Sequence, residues 1–117
     1  MSNILSISAI ELVEKLKSGE ISCVDACKEY IKRIDKFDKD VKAWAFFDKK
    51  LLIQKAEEAD TFRKSGKPMG LLHGIPVALK DIIGTYDMPT ECGTVFRKKI
   101  VISAFRPVTT RSSCSLA

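Results

Sequence analysis

The run Ile75–Leu79, "IPVAL", constrains the fold of this 117-residue chain more than any other stretch. Five residues without a polar break suit a strand covered on both faces, and such strands belong to sheets with helices packed on them. The expected class is therefore α/β. Gly74 and Pro76 shape the entry to that strand, because a proline cannot donate a ladder hydrogen bond. Lys80 closes the run, at a place where a charge is expensive to bury. The length allows one domain with a modest core.

Upstream, the hydrophobic spacing changes from continuous to helical. Ser8 with Glu11 makes a capping box, and Ala9, Leu12, Val13 and Leu16 follow on one face until Gly19 stops the helix. Ser22 with Asp25 opens a second helix, with Val24, Cys27, Tyr30 or Ile31, and Ile34 inward. The charges of "KEYIKRIDKFDKD" form its solvated side. "VKAWAFF" (Val41–Phe47) is short, aromatic and flanked by aspartates, which predicts a strand or extended segment. Asp48 caps a third helix with a stripe of Leu52, Ala56, Ala59 and Phe62 or Arg63, stopped by Gly66. "KPMG" (67–70) is a loop.

Composition excludes several classes. No apolar run reaches the length of a membrane span, and the first residues lack a basic region followed by an apolar block, so the expected location is cytoplasmic, with no membrane partner. Cys23, Cys27, Cys92 and Cys114 are then expected as reduced thiols. A zinc site from Cys23, Cys27, His73 and Cys92 matches no standard ligand spacing, and no metal or cofactor is expected. The net charge is +5. Met1–Glu91 holds 15 basic and 15 acidic residues, so the excess is Arg97, Lys98, Lys99, Arg106 and Arg111. A basic RNA-binding tail would use such a cluster, but only Phe96 and Phe105 accompany it and no nucleic-acid motif does. A break in the chain's parental sequence explains the same composition and is preferred.

Lys80 is the residue that could carry chemistry. Burial at a strand end would lower a lysine's pKa toward neutrality, and a neutral amine is a candidate general base. The alternative is an ordinary lysine reaching back into water. Asp81 points the opposite way along a strand and is expected to anchor the next loop. His73 is expected to be a hydrogen-bonded loop residue rather than a catalytic one.

"LLHGIPVALKDIIGTYDMPTECGT" resembles the opening of the conserved core of the amidase signature family, which includes bacterial amidases and the A subunit of glutamyl-tRNA(Gln) amidotransferase. "ELVEKLKSGEISCVDACKEYIKRID" is similar to the family's N-terminal helical pair, and "VKAWAFF" to its following strand. The likeness runs from Leu5 to about Thr94, with "HGIPVALKD" its most specific part. It implies a mixed sheet covered by helices, of which this chain holds the N-terminal helices and first strands. It also implies a serine amidohydrolase in which a lysine, here Lys80, takes a proton from a bridging serine in a cis peptide. That serine in turn activates a nucleophilic serine. "PTECGT" (89–94) resembles a loop close to the family's active site, with Gly93-Thr94 where Gly-Ser is frequent.

The bridging serine belongs to a Gly/Ser-rich stretch of the G-G-S-S-G-G kind, and no such stretch is present. Ser112 and Ser113 lie in "TTRSSCSLA" without flanking glycines. The expectation is therefore an N-terminal amidase part over 1–94 and a divergent basic tail over 95–117, frameshifted or fused to unrelated codons. The chain is expected to be inactive alone. Its partners would be a small amide substrate in full-length relatives and a complementing C-terminal amidase segment. The alternatives are a fragment of the A subunit of the tRNA-dependent amidotransferase, toward which "TYDMPTECGT" leans less than toward free-standing amidases, and a small basic binding protein.

Overall fold

A computed structural model describes residues 4–97. Three helices, α1 (Ala9–Ser18), α2 (Cys23–Val41) and α3 (Lys49–Lys64), carry the architecture, with single 3-10 turns at Ile4–Ser6 and Val95–Arg97. Each helix starts where its side chain can satisfy an orphan backbone donor. Ser8 Oγ accepts from Glu11 N at 3.2 Å. Ser22 Oγ accepts from Asp25 N at 3.0 Å and donates to the Asp25 carboxylate at 2.7 Å. Asp48 Oδ1 accepts from Lys50 N at 2.8 Å and Leu51 N at 3.0 Å. The first helix ends as expected at Gly19, whose φ of 79° lets its N–H reach the carbonyl of Leu16.

The helices converge on a small core of Leu12, Leu16, Cys23, Ala26, Cys27 and Ala56. Leu16 is wholly enclosed, which contributes about 2–3 kcal/mol over an exposed leucine. Ala26 and Cys27 of α2 share that cluster with Ala56 of α3, and such small side chains let two helix axes approach closely. The turn at Ile4–Ser6 lies against α2.

The inward stripe of α3 also contains a residue the apolar pattern missed. Asp60 is buried and accepts from Cys23 N at 2.9 Å and Val24 N at 3.2 Å. With Ser22 on Asp25 N, the first three backbone donors of α2 are all paired, two of them by a carboxylate from another helix. Asp60 thus joins α3 to the positive end of α2, where a negative charge is favoured.

The expected strands are not formed among the described residues. Val41 is the last residue of α2, and 42–47 is irregular. Lys42 takes a left-handed conformation with φ 52°, and Asp38 holds the exit by accepting from Ala43 N at 2.7 Å. Ile75–Lys80 is likewise irregular. A strand exists through a neighbour's donors and acceptors, and no described segment offers them here. From Val77 onward the apolar run is consequently bare rather than enclosed, with Val77 65% and Leu79 37% exposed, while Ile75 rests against the helical core. Among the described residues no helix is long and apolar enough to cross a membrane. Lys98–Ala117, which contains most of the expected basic tail, lies outside the described residues.

Candidate functional site

The segment carrying Lys80 is attached to the helices at its upstream end. Tight turns close through His73 N to Gly70 O at 3.2 Å and Ile75 N to Leu72 O at 3.2 Å. His73 is fully buried, and its Nε2–H donates to the carbonyl of Ala59 on α3 at 3.0 Å. A carbonyl can only accept, so the hydrogen sits on Nε2, and the buried Nδ1 has no partner among the described residues. The ring lies 5.5 Å from that of Phe62. This is the hydrogen-bonded loop histidine that the sequence suggests.

Gly74 comes next, with φ 79° and its Cα turned onto the core. A Cβ there would stand 2.5 Å from Cys23 Sγ and 3.5 Å from Leu16 Cδ1. "HG" is thus a docking element: the imidazole reaches α3, and the missing side chain lets the backbone press on α1 and α2.

Beyond Ile75, anchored beside the core, the chain passes through Pro76 to Lys80. Lys80 is exposed, and the desolvation expected at a buried strand end is absent among the described residues. Its carbonyl accepts from Ile82 N at 2.7 Å and Ile83 N at 3.0 Å, so the backbone turns sharply just after it.

Asp81 does what its position suggests and anchors the following loop. Oδ1 accepts from Glu91 N at 2.8 Å and Oδ2 from Gly93 N at 3.4 Å, while its carbonyl accepts from Cys92 N at 3.0 Å. These backbone donors, Glu91's first among them, hold its carboxyl below the usual carboxylate range. Thr90 adds a second tie that sequence reasoning missed: it is buried and donates to Ile83 O at 3.2 Å. "KDII" and "TECG" therefore run side by side, tied through Asp81 and Ile83, the first of which directly follows Lys80 in the chain.

The cysteines do not join that site. Burial pushes the thiol of Cys23 up to about 12, helped by the charge of Asp60 and a hydrogen bond with it. Burial likewise pushes Cys27 up to about 11. Both are inert core residues. Cys92 sits half-buried in the loop, and no three His, Cys, Asp or Glu side chains among the described residues are placed to hold a metal ion.

Comparison with known proteins places the whole segment in one context. The family model described as Amidase matches residues 25–104. The A subunit of the glutamyl-tRNA(Gln) amidotransferase of Leptospira interrogans is 42% identical over 94 residues, 80% of this chain and 19% of the relative. Its namesake from Thermobifida fusca is 38% identical over the same shares, and that from Streptomyces coelicolor 35%. The chain spans about a fifth of the length of these relatives. No solved structure matches it.

Proposed function

This chain belongs to the amidase family, and from that premise we propose that it supplies the N-terminal helical layer and the lysine of an amide-hydrolysing site. The observation that carries the reading is the position of Lys80. It lies inside the matched region, in a segment pinned to the helices by His73 and to the 89–94 loop by Asp81.

The chemistry follows from what a lysine amine can do next to hydroxyls. Lys80 accepts a proton from a bridging serine, the bridging serine accepts one from the nucleophilic serine, and that oxygen adds to an amide carbonyl. The proton returns to the departing amine as the tetrahedral intermediate collapses, leaving an acyl-serine that water cleaves. Both serines come from a complementing segment, so the chain is inactive alone. The site works without metal or cofactor, in the cytoplasm, on a small amide.

Exposed Val77, Leu79, Ile82 and Ile83 support a partner for this segment: the C-terminal part of an amidase domain. Pairing with it turns Ile75–Leu79 into a strand of an α/β sheet, buries the apolar run and desolvates Lys80. The division of the chain at residue 94 belongs to this proposal, although the family match itself extends to residue 104. A second reading, that the parent is the A subunit of a tRNA-dependent amidotransferase, is favoured by the names of the relatives. A small basic binding protein has no comparable support.

The test is complementation. The chain is mixed with the C-terminal part of the Leptospira interrogans relative, and ammonia release from glutamine and from simple amides is followed. We expect activity from the mixture and from neither part alone. Lys80→Met in the mixture lowers kcat by about 10²-fold or more. Full activity of the Lys80→Met mixture overturns the assignment.

A further inference from the structure

We propose that Asp81 is the positioning residue of Lys80, holding the lysine's backbone through the Glu91–Gly93 loop; the inference rests on the reading of Lys80 as the base. Lys80 is exposed, and its charge acts on the Asp81 carboxylate beside it, so what the fold fixes at this position is the backbone from which the flexible lysine stem projects. That backbone is restrained from two sides. Upstream, His73 and Gly74 dock on the helices. Downstream, Ile82 N and Ile83 N close onto the Lys80 carbonyl, and the next residue, Asp81, gathers three consecutive backbone N–H groups.

The conformation of the loop points the same way. Cys92 and Gly93 both lie in the left-handed region, with φ 54° and 69°. A residue with a Cβ is uncommon there and persists where surrounding interactions over-determine it. Asp81 supplies such interactions, since Cys92 N meets its carbonyl and the flanking amides meet its carboxylate. A carboxylate is suited to this because charge-assisted hydrogen bonds are about twice as strong as neutral ones. Thr90 on Ile83 O forms the second rung of the same ladder-like contact. The turn at Lys80 and the loop are thus one mechanical unit, and Asp81 is its charged clasp.

Amide hydrogen exchange of the full chain, read residue by residue, tests this. Asp81→Ala speeds exchange about tenfold at Glu91, Cys92 and Gly93, and about fivefold at Ile82 and Ile83, with α1–α3 unchanged. Asp81→Glu restores at least half of the lost protection, whereas Asp81→Asn, which lacks the charge, restores less. If Ile82 and Ile83 keep their protection while the loop amides lose theirs, Asp81 only closes its own loop and the proposal falls. If the helices lose protection equally, even in Asp81→Asn, the residue is a general structural one and the proposal falls too. Lys80→Met leaves all five amides unchanged, so exchange reports on the clasp whether or not Lys80 is a base. In the complemented enzyme, Asp81→Asn lowers kcat with KM held. An active Lys80→Met mixture with an intact clasp overturns only the catalytic reading.

Discussion

Removing the carboxylate of Asp60 isolates the contact that joins α3 to α2. In Asp60→Ala, Cys23 N and Val24 N lose acceptors at 2.9 and 3.2 Å in a site that is only 9% exposed. Hydrogen bonds to charged groups contribute roughly 1.5–3 kcal/mol each, and a buried donor left unpaired costs about 1–3 kcal/mol. Water can reach one of the two donors once the side chain is truncated, so the expected loss is about 3 kcal/mol rather than the full sum. Ser22→Ala removes a single exposed cap from the same helix and is expected to cost about 1 kcal/mol. Asp60→Asn keeps one carbonyl oxygen and falls between, at about 2 kcal/mol. Urea unfolding followed by far-ultraviolet circular dichroism reads all three. With a slope of about 1 kcal/mol/M for a chain of this size, Asp60→Ala moves the midpoint by about 2–3 M with the slope unchanged. Equal midpoints for Asp60→Ala and Ser22→Ala would refute the reasoning, because the inter-helix cap would then be no stronger than the local one.

Two glycines separate crowding from backbone strain. Gly74→Ala carries both a left-handed φ of 79° and a Cβ 2.5 Å from Cys23 Sγ, so it is expected to cost about 3 kcal/mol. Gly66→Ala has φ 73° with nothing within 4 Å and is expected to cost about 1 kcal/mol; similar Tm shifts for the two would contradict the docking of "HG" on the core. The buried thiols predict an alkaline limit. Folding raises Cys23 from its ordinary 9.0 to about 12 and Cys27 to about 11, so the folded state keeps protons that the unfolded chain releases. Stability is therefore complete below about pH 9 and is lost as pH climbs toward 12, a slope that Cys23→Ala flattens in denaturant titrations at stepped pH. Site-resolved alkylation at neutral pH is expected to label Cys92 well before Cys23 or Cys27.

The helices were legible because their signals are local. A serine or aspartate cap and a glycine stop act within one turn, and an apolar residue every third or fourth position finds the same core whatever lies elsewhere. Asp81's anchoring of the next loop was legible because a carboxylate at the head of a Gly- and Pro-punctuated loop is well placed to accept from that loop's backbone, here at Glu91 and Gly93. Asp60 was not. A charged residue on an amphipathic helix reads as solvated until a second helix, more than thirty residues away in sequence, brings its own unpaired N-terminus against it. Thr90 was missed on the same grounds, for nothing in "PTECGT" announces the carbonyl of Ile83.

The strands mark the other boundary. "IPVAL" and "VKAWAFF" have the composition of sheet, yet composition states only that a segment can occupy a pleated, buried place. Whether it does depends on a neighbouring edge, and residues 4–97 provide none. By itself the sequence determined three capped helices, the stripe that buries them, a hydrogen-bonded loop histidine and the family to which they belong, because each follows from short-range spacing or from a specific string of residues. Only the tertiary structure decided that Asp60 clamps two helices, that Gly74 seats the Lys80 segment on Cys23, and that the apolar run stays bare from Val77 onward, because those outcomes require groups far apart in the chain to meet or to find no partner.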